Sequence, residues 1–217
     1  MKDQLLQPSE RRFAWVIEGQ KRGPRSPFDV DLCESSVAAV TPTVGAITPA
    51  WVLVVPRRAA FCFADISSTD RQPINGLING VRREMETFAG ESYLFEHGAR
   101  TVGSKTGCGV DQAHAHLVQL KGNLLRSAIA DCSMRWCPID SKDPWSEIEL
   151  GREYYLISDF GQSFVAYPEA QRSQYFRRLI ARDLLRPEEW DYRLFENEQN
   201  ARETVRRFGS NVERRAA

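Results

Sequence analysis

The sequence predicts an α+β fold in which an antiparallel β-sheet carries one helix across it and is followed by a helical C-terminal extension. Three observations carry this. Short β-branched runs punctuated by proline recur between residues 36 and 56. One long segment then shows apolar residues at helical spacing. Beyond residue 120 the sequence turns aromatic and mainly helical.

The sheet segments come first. Residues 36–40 form a short apolar run, which Pro42 ends. Residues 44–47 read as a second strand, and Trp51-Val52-Leu53-Val54-Val55 as a third, closed by Pro56. The helix follows. Pro73 fits a first helical turn, and Ile74, Leu77, Ile78, Val81, Met85 and Phe88 repeat on one face until Gly90 supplies a stop. Tyr93-Leu94-Phe95-Glu96-His97 predicts another strand, and residues 113–120 a further one. In the last third, 124–130 predicts helix, 154–157 and 163–166 predict strands, and 173–185 and 197–208 predict helices. These divide the chain into an N-terminal arm (1–27), a core (28–120) and an α/β extension (121–217) packed on that core. Phe13, Trp15, Val16 and Ile17 give the arm an apolar cluster with which to pack.

Composition narrows the function classes. Apolar residues make up 42% of the 217, enough for a core, and the formal net charge is zero, which argues against a nucleic-acid scaffold held by bulk charge. No apolar run is long enough to span a membrane. Met1-Lys2-Asp3-Gln4 does not start a secretory signal, and five scattered cysteines without a CxxC pair indicate neither a disulfide framework nor a zinc site. The expectation is a cytoplasmic protein with reduced thiols, no metal and no cofactor.

The chemistry points to one segment. The chain has only three histidines, His97, His114 and His116. In Gln112-Ala113-His114-Ala115-His116-Leu117, strand alternation sets Gln112, His114 and His116 on one face, with Ala113, Ala115 and Leu117 turned toward the helix. A face of two imidazoles and an amide builds a poor core and a good ligand surface. Upstream, Gly107 and Gly109 flank Cys108 in a loop whose backbone N–H groups could cradle an anion, with Lys105 as a further phosphate contact. Lys105 does not complete a P-loop: counted from Gly98 it falls one residue late, and a strand follows. An imidazole held at its far nitrogen by a carbonyl can attack phosphorus in line, while a neighbouring imidazole stabilises the phosphate oxygens. His97 and Gln174 are further candidates for the site. Cys108 reads as a packing residue, and Arg177, Arg178 and Arg182 as a solvated helix face.

Residues 107–120 resemble the motif of the histidine-triad (HIT) superfamily, His-φ-His-φ-His-φ-φ with φ apolar. The paired strand segments ending in Pro56-Arg57-Arg58, the segments Phe95-Glu96-His97-Gly98 and Gly107-Cys108-Gly109-Val110-Asp111, and the C-terminal Ser173-Gln174-Tyr175-Phe176-Arg177-Arg178 and Glu189-Trp190-Asp191-Tyr192-Arg193 resemble one bacterial branch of it. The resemblance covers most of residues 29–208. It implies a HIT-like sheet, usually a homodimer, and hydrolysis or transfer at the α-phosphate of a nucleotide. His114 matches the family's nucleophile, His116 its third histidine, and Gly107, Cys108 and Gly109 its phosphate loop. Two positions depart from the pattern: Gln112 stands at the first triad position and Ala59 where a further histidine commonly follows the Pro-Arg-Arg step. These departures keep two alternatives open, a nucleotide-binding regulatory protein with weakened catalysis and a scaffold turned to a biosynthetic, non-hydrolytic reaction.

Overall fold

The computed structural model describes residues 12–216. Strands β1 (Ala38–Pro42), β2 (Trp51–Pro56), β3 (Glu91–Gly98), β4 (Ala115–Leu120), β5 (Trp136–Ile139), β6 (Tyr154–Ser158) and β7 (Ser163–Ala166) join in one sheet of order β1-β2-β4-β3-β6-β7-β5. Each neighbouring pair in this order is antiparallel, with Leu53 opposite His116 and Phe95 opposite His116 on its other side. The helices are α1 (Ala14–Ile17), α2 (Ser68–Met85), α3 (Leu124–Ile129), α4 (Tyr175–Asp183) and α5 (Glu198–Ala216).

Both sheet faces are covered, which is why the central strands are buried at every position. Alternation sorts their side chains. Val52, Val54, Leu94, Ala115, Leu117 and Leu156 pack against Ile74, Ile78, Val81 and Met85 of α2. The opposite face sets Trp51, Phe95, Val118, Tyr155 and Ile157 against α3 and α4. The predicted orientation of Ala113, Ala115 and Leu117 toward the helix is therefore observed. Helix α2 begins at a Ser67 cap whose hydroxyl accepts the Asp70 N–H. This start places Pro73 inside the helix rather than in its first turn. The carbonyl that proline leaves without its N–H partner belongs to Thr69, which is exposed to water.

Several boundaries differ from the sequence reading. Residues 44–47 form a turn, not a strand. Gly45 has φ +69° and its N–H reaches Glu196 O, and a Cβ there would strike Tyr192 and Arg177. Strand β5 is additional; Pro138 is tolerated because β5 lies at the sheet edge. Helix α5 runs well past residue 208.

The three predicted units share one framework. Phe13, Trp15 and Val16 of the arm are buried against Ala39, Leu53 and Val55, and Arg12 pairs with Asp29 at 2.6 Å. From the extension, β6 pairs directly with β3, so the sheet crosses the predicted boundary at residue 120. The Met1-Lys2-Asp3-Gln4 segment lies outside the described residues. Among the described residues no helix is long and apolar enough to cross a membrane.

Candidate functional site

Three imidazoles meet on the α4 face, at the end of the sheet where β3 finishes and β4 starts. Residues 112–114 lead into β4, and Ala113 N–H is fixed to Ala60 O at 2.7 Å. His114 and His116 then project to the same side, their ring centres 5.3 Å apart. His97, from β3, lies 5.9 Å from His116. Phe95 stacks on His116 at 4.5 Å and holds its ring plane.

The partners of the rings assign their protons. Nδ1 of His114 lies 2.8 Å from the Gln112 carbonyl oxygen. A carbonyl only accepts, so Nδ1 carries the hydrogen and Nε2 keeps its lone pair. His116 is the converse. Its Nδ1 accepts the Trp51 indole N–H at 3.0 Å, so its hydrogen sits on Nε2. In His97, Nε2 accepts the Phe176 amide at 3.4 Å, which leaves the hydrogen on Nδ1, a buried atom with no partner among the described residues. Burial holds all three neutral. It pushes His97 down to about 3, with repulsion from His114, once that ring is protonated, and from Arg177 adding. His116 is held well below 6.5 by burial and then by His114, His97 and Arg177. His114 is lowered by burial, partly offset by its bond to Gln112, with Arg12 adding.

These rings line a cavity of about 290 Å³ whose wall contains no Asp or Glu among the described residues. It does contain three arginines. Arg12 and Arg25 have acid partners in Asp29 and Glu196. Arg177 does not. Its Nε donates to Trp190 O at 2.9 Å, and its Nη atoms to the carbonyls of Val44 and Gly45. Among the described residues it joins no ion pair, and Asp191 acts on it only from longer range. Its guanidinium lies 4.8 Å over the Trp51 ring. Only 3% of it is exposed, and burial pulls its pKa down to about 10. The reading of Arg177 as solvated is thus corrected, whereas Arg178 and Arg182 are exposed.

The glycine loop is close by, but in a different role from the one expected. The amides of Gly107, Cys108, Gly109 and Val110 donate to Ser104 Oγ, Lys105 O, Ser104 O and Gly107 O respectively. The expected cradle of free N–H donors over 107–109 is therefore absent, because the loop closes its own hydrogen bonds. Ser104 and Thr106 hydroxyls tie it further to the Glu153 carboxylate at 2.6 and 2.7 Å. Cys108 and Gly109 line the cavity. Gly107 instead packs on Ala99, where a Cβ would come within 2.6 Å. Lys105 is exposed and outside the cavity wall. The Cys108 sulfur accepts the Gln174 amide N–H, and burial raises the pKa of its thiol.

Gln112 contributes its backbone to the site. Its side chain turns away from the imidazoles and donates to Pro56 O and Arg58 O at 3.2 and 2.9 Å. Gln174 lines the cavity, with its amide fixed between Asp191 and Tyr192. Sequence reasoning missed Arg12, Phe13, Thr43, Trp51 and Arg177. Only the Phe13-Trp15-Val16 cluster signalled that the arm docks, and nothing in the sequence points Trp51 at His116. Among the described residues no three His, Cys, Asp or Glu side chains converge as a metal-holding group. No family model matches this chain, and no curated protein matches it.

Proposed function

We propose that this protein is a HIT-like enzyme that hydrolyses or transfers a nucleotidyl group through a covalent intermediate on His114. One observation carries the reading: His114 and His116 have opposite, fixed tautomers on the floor of a carboxylate-free cavity. A lone pair at His114 Nε2 beside an N–H at His116 is what attack on an anionic phosphorus needs. In the first step Nε2 forms a P–N bond, and the P–O bond to the leaving group breaks with its electron pair. In the second, water attacks phosphorus, the P–N bond returns its pair to Nε2, and the remaining water proton goes to solvent. The resemblance of residues 107–120 to the HIT motif supports the same chemistry. Gln112 fits it because the backbone carbonyl, which any residue supplies, is what holds Nδ1.

A second reading is favoured by the engaged side chain of Gln112 and the self-satisfied loop amides, which leave fewer donors than a fast enzyme would want. Under that reading the cavity binds nucleotide without turnover. Incubating the full chain with a panel of nucleotides, denaturing it and mapping peptides by mass spectrometry separates the two. A base-stable, acid-labile nucleotidyl adduct is expected on His114, and none in His114→Ala. Calorimetric binding with no adduct on any nucleotide would select the binding protein.

A further inference from the structure

We infer that Trp51, clamped by Arg177, is a positioning residue that makes the two imidazoles of the row unequal: it locks His116 as a hydrogen-bond donor and so reserves attack for His114. The lock rests on geometry alone, and only its use in attack rests on the function proposed above.

Trp51 stands opposite Val118 and Leu53 opposite His116, so Trp51 and His116 are diagonal neighbours on the α4 face of the sheet. An indole is long enough to bridge that diagonal, and its N–H meets His116 Nδ1 at 3.0 Å. The indole nitrogen only donates. A proton on Nδ1 would therefore face another N–H in a buried place, and neither would be satisfied. Relief would require Trp51 to move, and it is held. It is fully buried, meets Phe95 edge-on at 6.0 Å and carries the Arg177 guanidinium 4.8 Å over its ring. Arg177 is fixed in turn by the carbonyls of Trp190, Val44 and Gly45. Phe95, stacked on His116 at 4.5 Å, resists the ring flip that would exchange its two nitrogens.

Without such a device the two rings would be interchangeable. They project to the same side, 5.3 Å apart, and either could present a lone pair at Nε2. Attack through Nε2 puts a positive charge on the ring, which is then shared with an N–H at Nδ1. His114 has that N–H, and Gln112 O accepts it. His116 lacks it, and Trp51 keeps it from forming. The surroundings add to the lock. Burial opposes a charge on His116, and so do His114 and His97, once protonated, and Arg177 on α4. Arg12, Arg25, Cys108 and Tyr192 share the cavity wall, which holds no Asp or Glu among the described residues to draw a proton in. His116 thus donates a hydrogen bond throughout and never acts as a general acid.

Nitrogen-15 NMR of the imidazole rings in the full chain tests this, because the two neutral tautomers and the charged ring give different nitrogen signals. The wild-type His116 should show a bare Nδ1 and a protonated Nε2, unchanged from about pH 8 to about pH 5. A scalar coupling across the hydrogen bond should join Trp51 Nε1 to His116 Nδ1. In Trp51→Phe the two nitrogens should average, and the ring should titrate closer to its ordinary value of 6.5. On the nucleotide that labels His114, kcat of this variant should fall about fivefold at the alkaline end and recover on acidification, since the charged ring again carries an N–H at Nε2. A merely structural role for Trp51 would lower the melting temperature and move neither signal. A folded Trp51→Phe in which His116 keeps Nε2–H and does not titrate overturns the lock. Should that variant fail to fold, the wild-type spectrum decides: a proton on His116 Nδ1, or a charged ring at about pH 5, overturns it. A variant whose His116 titrates while its kcat follows wild type at every pH overturns the catalytic use. The nucleophile is judged separately. A locked His116 with no adduct on His114 keeps the lock and removes the attack, and an adduct beside a freely titrating wild-type His116 does the reverse.

Discussion

Replacing His114 with alanine is expected to lower turnover about 10⁴-fold or more, the scale on which covalent catalysis collapses when its nucleophile is deleted. The fold should survive. The imidazole faces a cavity, and its single hydrogen bond ends on a backbone carbonyl that water can reach once the ring is gone. Melting temperature should therefore move by only a few degrees, within roughly 1–2 kcal/mol of wild type. Gln112→Ala is the informative companion. It keeps the carbonyl that orients His114 but frees Pro56 O and Arg58 O, so its effect should be milder and arise from misplacement. The measurement is kcat on whichever nucleotide labels the wild-type protein. A His114→Ala protein that keeps more than about one part in a hundred of that rate rules out the nucleophile.

Replacing Glu96 with alanine should cost about 3–5 kcal/mol of stability, enough to threaten folding. Glu96 lies on the α2 face, fully buried, and accepts from Phe63 N–H at 2.9 Å, Trp145 Nε1–H at 2.7 Å and the Tyr154 hydroxyl. Alanine would strand all three donors. The same carboxyl shapes the pH profile. Burial raises its pKa to about 7, and the three hydrogen bonds only partly oppose this. The folded state thus holds the proton more tightly than the unfolded chain. The resulting stabilisation is complete below the ordinary value of 4.5 and lost as pH rises through about 7. The imidazoles run the other way. Their folded pKa values are lowered, so their contribution is complete above 6.5 and lost as pH falls, for His97 through about 3. Between 4.5 and 6.5 the two oppose each other. Glu96→Gln removes one side, so its melting temperature should fall more steeply than wild type on acidification from about pH 7 to pH 5. Parallel melting curves for the two proteins would remove Glu96 from the balance.

Much of the scaffold was legible because it depends on period. The apolar face of α2 and the alternation through Ala113, His114, Ala115 and His116 are local patterns, and the structure keeps both. The paired imidazoles stood out for the same reason: polar rings recurring every second residue do not suit a core. What the sequence hid depends on distant partners. Arg177 sits beside Arg178 and looks like one more charge on a wet face. It is buried because Val44 and Gly45 reach it across more than a hundred residues. Those two residues in turn looked like a strand, since valine and isoleucine flank the glycine that makes the turn. Strand β5 was obscured by Pro138, which argues against a central strand and is harmless at an edge. Composition misleads at the loop over 103–109. Its glycines suggested open amides, whereas the serine and threonine hydroxyls between them organise it from within.

That self-contained loop has a consequence for how the cavity handles a guest. With the amides of residues 107–110 already engaged, arrival of an anion gives the backbone nothing new to hold. Deuterium uptake along this stretch should be the same in the empty and occupied protein. Adjustment on binding falls instead to side chains, and the loop acts as a rigid rim against which they settle.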